Sequence, residues 1–102
     1  MRSIRKTLSA DFIKETIDPL SFYTHELSGA KIKPGGAWVD ADLCPFHNDR
    51  SRGSFKINLV TGGFKCFACN AVGGDIIDFV RALHGLSFVE ALKKLSEEWG
   101  VY

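Results

Sequence analysis

Apolar positions change their period twice along this chain, and the changes divide it into three parts. Near the N-terminus Phe12, Ile13 and Ile17 recur at helical spacing behind Ser9, so "ADFIKETI" is expected as a short helix. Asp18-Pro19 restarts the pattern, with Asp18 suited to an N-cap and Pro19 to the first helical position. A second helix is therefore expected over "PLSFYTHEL", ending at Ser28-Gly29. Beyond the Pro-Gly-Gly turn of "KIKPGG" the period falls to two. Trp38, Val39 and Leu43 make a strand-like run. In "SFKINLV", Phe55, Ile57 and Leu59 face one way, and Lys56 and Asn58 the other. "TGG" is a turn and "FKCF" a returning strand, which together predict a β-hairpin running into Cys66.

The last third is helical again. "GGDIIDFVRALHG" starts at an Asp75 cap, buries Ile76, Phe79, Val80 and Leu83, and stops at Gly85 with His84 in its last turn. "SFVE", Ser87 to Glu90, is a capping box. Phe88, Leu92, Leu95 and Trp99 then form one apolar stripe, expected to pack on the strands. His25 and His84 are expected as ordinary helix-surface residues. No internal repeat or low-complexity tract interrupts these segments.

The totals change the picture in three ways. A length of 102 residues allows one small domain with one modest core, for which a cross-link or a metal would be a welcome addition. A net charge of +1 excludes a molecule that is basic all over, so any nucleic-acid contact must be local. No apolar run reaches the roughly 18 residues of a membrane span, so no membrane partner is expected. "MRSIRKTLSADF" also lacks the apolar stretch of a secretory signal. The expected location is cytoplasmic, a reducing compartment where paired cysteines hold metal or do redox work.

All 3 cysteines fall in one stretch, "CPFHNDRSRGSFKINLVTGGFKCFACN". Cys44 and His47 form a C-x2-H pair, Cys66 and Cys69 a C-x2-C pair, and 18 residues separate the pairs. A two-residue gap lets each corner of the chain present both side chains to one ion. Two corners at the end of a hairpin close a tetrahedron, which Zn²⁺ accepts because its filled d shell imposes no other geometry. Three thiolates and one imidazole leave no open position, so one structural zinc is expected on Cys44, His47, Cys66 and Cys69. Asn70 follows the second pair, where the knuckle requires left-handed backbone. Cys66 and Cys69 alone would also suit a thioredoxin-like pair, but that motif opens a helix after a strand of an α/β unit. Three unligated buried cysteines would share this spacing only by accident.

With these residues in hand, "LCPFH…SFKINLVTGGFKCFACNAVGGDIIDFV" resembles the N-terminal zinc-binding domain of bacterial and phage DNA primases. The likeness covers about residues 43 to 96: CPFH, a polar basic loop, Ser-Phe, the hairpin, CFxC, and the Gly-Gly-Asp start of an apolar helix. Two departures stand out. The loop "NDRSRGSF" is one residue longer than the family's and lacks its proline, and Asn70 replaces the usual glycine. The resemblance implies a zinc ribbon that engages single-stranded DNA template for RNA primer synthesis in replication, with a primase catalytic domain or a replicative helicase as protein partner. The acidic, Mg²⁺-binding domain that polymerises primers in these enzymes has no counterpart here. The expectation is an excised or naturally separate zinc domain, or a short relative carried by a phage, plasmid or integrated element.

The expected architecture is α+β, a zinc-ribbon antiparallel sheet of three to five strands flanked by N-terminal and C-terminal helices. The expected organisation is a single zinc-binding domain over 1–102: a helical lead-in at 1–29, the ribbon at 30–70 and two helices at 71–102. Between Cys44 and Cys69 the chain has Arg50, Arg52, Lys56 and Lys65 against Asp49 alone, so the ribbon is the positive side. Such cations contact phosphates, and Phe67 or Trp38 offers a surface on which bases stack. Phe46, Phe55, Phe64 and Phe67 are equally compatible with a core. No catalytic residue is assigned, because no paired carboxylates, activated nucleophile or phosphate-cradling loop is present. Two other classes remain open: a zinc-stabilised adaptor docking a replication protein through its helices, and a redox or metal sensor with labile thiolates.

Overall fold

The computed structural model describes residues 9–48 and 53–101. Ser9 opens the first helix by accepting the Phe12 N–H, and α1 (Ala10–Thr16) buries Ile13. Asp18 does the same for α2 (Pro19–Glu26): its carboxylate takes the N–H and the hydroxyl of Ser21, and Pro19 occupies the first turn, where no N–H partner is needed. α2 turns Phe22 and Tyr23 into the core.

Four short strands follow, β1 (Trp38–Asp40), β2 (Phe55–Asn58), β3 (Phe64–Cys66) and β4 (Val72–Gly73), in an antiparallel sheet of order β1-β2-β3-β4. One face of this sheet carries Val39, Phe55, Ile57, Phe64 and Cys66, all buried. The other carries Trp38, Lys56, Lys65 and Val72. Asn58 departs from the alternation and is only 8% exposed. Its side-chain oxygen accepts the N–H groups of Val60 (2.8 Å) and Thr61 (2.9 Å), so it is drawn in to hold the hairpin turn. Leu59, expected beside Phe55 and Ile57, falls in that turn and is half-buried.

The C-terminal helices are punctuated as the sequence predicts. Asp75 caps α3 (Ile76–His84) by accepting the Asp78 N–H, and Gly85 closes it in the left-handed conformation. Ser87 and Glu90 make both bonds of a capping box at the start of α4 (Phe88–Trp99). The α4 stripe, however, does not pack on the strands. α4 lies on α1 and α3, with Leu92 and Leu95 buried and Trp99 set against Phe22 and His25 of α2. Phe88, at the first turn, stays 45% exposed. The reason is that α3 already covers the sheet, and α4 packs on the flank of that layer.

Phe79 of α3 is the centre of the core. Its ring meets Phe22, Tyr23, Phe46, Phe55 and Phe64 at centroid distances from 5.0 to 6.5 Å, so one side chain joins α2, the sheet and the β1–β2 loop. Tyr23 adds a directional link by donating its hydroxyl to the Gly62 carbonyl in the β2–β3 turn at 2.7 Å. Burial, with Asp75 and Asp78 nearby, pushes this phenol far above its ordinary pKa and keeps it a donor. No helix among the described residues is long and apolar enough to cross a membrane.

Candidate metal centre and the face beside it

Two chain corners converge at one end of the β2–β3 hairpin. Cys66 is the last residue of β3, and Cys69 follows it across a short knuckle. Asn70 takes the left-handed conformation (φ 66°), which lets its N–H reach the Cys66 carbonyl (2.9 Å) while the Cys66 N–H meets Ala71 (2.8 Å). The Cys69 N–H points at the Cys66 sulfur (3.5 Å), and the Phe46 N–H points at the Cys44 sulfur (3.4 Å). Each corner therefore turns backbone donors toward a thiolate. Asp42, also left-handed at φ 66°, redirects the chain just before Cys44; no residue type at that position signals the bend as clearly as Asn70 does.

The Cys44, His47, Cys66 and Cys69 ligand atoms lie within 4.8 Å of one another. Cys44 Sγ and Cys69 Sγ are 3.9 Å apart, and Cys66 Sγ and His47 Nε2 are 3.4 Å apart. A tetrahedron with metal–sulfur bonds of about 2.3 Å has edges of about 3.8 Å, so these two pairs already stand at zinc spacing. The thiols show why an ion belongs there. Burial pushes the Cys44 pKa up. At Cys66 burial acts the same way, but the N–H groups of Cys69 and Ala68 and the His47 ring overcome it and bring the pKa down. A dication at the centre supplies the charge that lets all three sulfurs ionise together. Three sulfurs and one imidazole nitrogen complete a tetrahedral set, and the chain holds one structural zinc. Phe46, between Cys44 and His47, stacks on Phe64 at 5.3 Å and locks the first corner onto the core.

Beside this centre lies the outer face of the sheet. Lys56 and Lys65 are directly opposite one another on β2 and β3. Like charges placed so are destabilising, and a sheet selected for stability alone would avoid them. Lys56 is answered on its other side by Asp40 of β1, with which it forms an ion pair. Lys65 sits over the Phe67 ring, 5.3 Å from its centroid. Trp38, Lys56, Lys65 and Phe67 line one hollow, and both rings are largely open to solvent, Trp38 at 53% and Phe67 at 64%. Phe55 and Phe64 are core, Phe46 is half-buried, and Phe67 alone of the four faces out. Arg50 and Arg52 lie outside the described residues. The pairing of Asp40 with Lys56 was not visible in the sequence, because it depends on the register between β1 and β2.

Comparison with known proteins agrees with this geometry. Residues 10–102 match the family model described as the CHC2 zinc finger. DNA primases from two strains of Helicobacter pylori are 40% and 52% identical to the chain over 93 residues, which is 91% of this chain and 16% of theirs. A DNA primase of Deinococcus radiodurans is 37% identical over 71 residues, 70% of this chain and 12% of its own length. The chain thus spans a small fraction of the curated relatives it matches. The crystal structure of the zinc-binding and RNA polymerase domains of Aquifex aeolicus primase superposes with a TM-score of 0.68 and 28% identity. That match covers 92% of this chain and 22% of the other.

Proposed function

The chain belongs to the CHC2 zinc finger family, the zinc-binding domain of DNA primases, and from that premise we propose that it engages single-stranded DNA template during RNA primer synthesis. The zinc takes no part in chemistry: it fixes the knuckle, and the knuckle fixes Lys65 and Phe67. Primer polymerisation belongs to a catalytic domain acting with this module, and the whole assembly serves DNA replication.

One observation carries the proposal. The outer sheet face holds two directly opposed lysines between two exposed aromatic rings, an arrangement that stability disfavours and a single strand uses. Lys56 and Lys65 would neutralise phosphates, positioning the strand without reading its sequence. Phe67 and Trp38 would receive bases on their faces, which tolerates any sequence because every base has a π-face.

Fluorescence anisotropy of labelled single strands across a salt series tests this. Affinity should fall as salt rises, and Lys56→Ala with Lys65→Ala should reduce the log–log slope by about 1.4, that is about 0.7 for each phosphate left without its lysine. Phe67→Ala should weaken binding roughly 5- to 150-fold. Salt-insensitive or undetectable binding by the zinc-loaded wild type would sink the proposal. Docking to a protein partner, the primase catalytic domain or a helicase, would fall on the helical side, where Phe88 (45%) and Val89 (57%) begin α4 exposed. Phe88→Glu should then weaken binding to a catalytic domain supplied separately while leaving the anisotropy unchanged.

A further inference from the structure

Trp38 is the wall between two hollows. On one side it faces Lys65 and Phe67. On the other it faces Lys31, Lys33 and Gly35 from the loop before β1. Lys56 and Trp38 line both, so the two hollows adjoin over β1. Lys31 and Lys33 are exposed, and among the described residues neither is held in a salt bridge. Lys31 and Lys33 line the same hollow while Ile32, between them, packs against the core.

Resting on the function proposed above, we propose that the bound single strand does not end at the Lys56–Lys65 pair. It runs diagonally across the sheet, passes Trp38, and places its next phosphates on Lys31 and Lys33. The register sets the scale. Phe67 stands opposite Ser54, whose carbonyl takes its N–H, and Trp38 stands opposite Asn58. Four residues of rise and two strand spacings put the backbone positions of Phe67 and Trp38 roughly 17 Å apart, with both side chains reaching into the hollow between them. That is about five steps of a stacked strand, and fewer for a stretched one. The second hollow begins where that span ends. Asp40 is the exception on this path: it lines the Lys31–Lys33 hollow and holds Lys56 in an ion pair, so it repels the same phosphates the lysines attract. The path therefore has two cationic stations separated by one anionic point.

The experiment is anisotropy of the zinc-loaded protein with thymidine oligomers of about 4 and about 12 nucleotides, lengths that span one hollow or both. Lys31→Ala with Lys33→Ala should lower the salt slope for the longer oligomer by about 1.4 and leave the shorter one unchanged. Asp40→Asn should tighten the longer oligomer about four-fold at low salt, the effect of one unit charge about 5 Å from a phosphate in water. Thermal melts and zinc content of the variants should match wild type, since all three side chains are exposed. If the Lys31/Lys33 variant binds like wild type while the Lys56/Lys65 variant is weakened, the strand stops at Trp38. The extension is then wrong and the proposed function stands. If the wild type binds neither oligomer, the proposed function fails and the extension with it.

Discussion

Replacing Gly73 by alanine measures how closely the sheet is shut against α3. A Cβ at that position would lie 2.4 Å and 2.7 Å from two ring carbons of Phe64 and 2.8 Å from the Asp78 Cβ. Ordinary carbon contacts sit near 3.5–4.0 Å, so something must move by about an ångström. Phe64 is 1% exposed, stacked on Phe46 and edge-on to Phe79, and has no room to swing. β4 must yield instead, breaking its pairing with β3, where Gly73 stands opposite Phe64. Overpacking of this kind costs about 1–3 kcal/mol, and the broken strand pairing places it toward the upper end. At roughly 4–8 °C per kcal/mol for a domain of this size, Tm should fall by about 10–25 °C. Gly74→Ala is the matched control. Its nearest neighbour would be Asp78 Oδ2 at 3.8 Å, and its N–H bond to that oxygen survives the change. That variant should match wild type or gain about 0.4–1 kcal/mol from a stiffer unfolded chain. Circular-dichroism melts of the zinc-loaded proteins decide it. Equal Tm values for the two variants would refute the close packing of β4 on Phe64.

Stripping zinc with a chelator, or Cys44→Ser, should remove on the order of 10 kcal/mol, comparable to the whole stability of a small domain. The cooperative melt should vanish, and an apo protein melting within a few degrees of the holo form would contradict this. Tyr23→Phe leaves the buried Gly62 carbonyl without its donor and should cost about 1–3 kcal/mol in urea unfolding, whereas an unchanged midpoint would show the bond to be dispensable. The Ser87 N–H, with the Ser87 hydroxyl, lowers the Glu90 pKa from its ordinary 4.5. A depressed folded pKa means the capping bond is fully present above about pH 4.5 and is lost as pH falls through the lowered value. Carboxyl NMR titration should place Glu90 below the ordinary 4.5, and a titration at that ordinary value would exclude the bond in solution.

Much of this molecule was legible in the sequence because its signals are local. Asp18-Pro19, Asp75, Gly85 and the Ser87–Glu90 box are decided within one helical turn, and each cap lies where the residue types require. The ligand set was legible for the same reason, since a two-residue gap constrains a metal corner without reference to the rest of the fold. What escaped depends on distant pairing. The α4 stripe has the correct period but does not name its partner, and Trp99 meets α2, more than 70 residues away in the chain. Asn58 reads as an outward position in an alternating strand until its side chain is claimed by the turn that follows. The Asp40–Lys56–Lys65 row exists only once β1, β2 and β3 are in register, and a one-residue slip of β1 would bring a different residue opposite Lys56.

That register also says what a closed zinc site contributes to a binding surface. Phe67 lies between two ligands, Cys66 and Cys69, and Lys65 immediately precedes the first of them. The ring is 64% exposed, with Lys65 over it, so little packing positions it and its backbone is held by the knuckle. An exposed aromatic on an untethered loop loses side-chain and backbone freedom each time it stacks on a base, at about 1–2 kcal/mol per ordered residue. Metal coordination has already removed the backbone part of that freedom in the free protein, so on the proposed path a strand would meet a ring whose attachment point is fixed. On the proposed path, then, Phe67 and Lys65 belong to the metal-dependent part of the surface, and Lys31 and Lys33 to a part that β1 and its loop position instead. A zinc-ligand substitution mild enough to leave the helices folded should therefore weaken the Phe67 end of the footprint first.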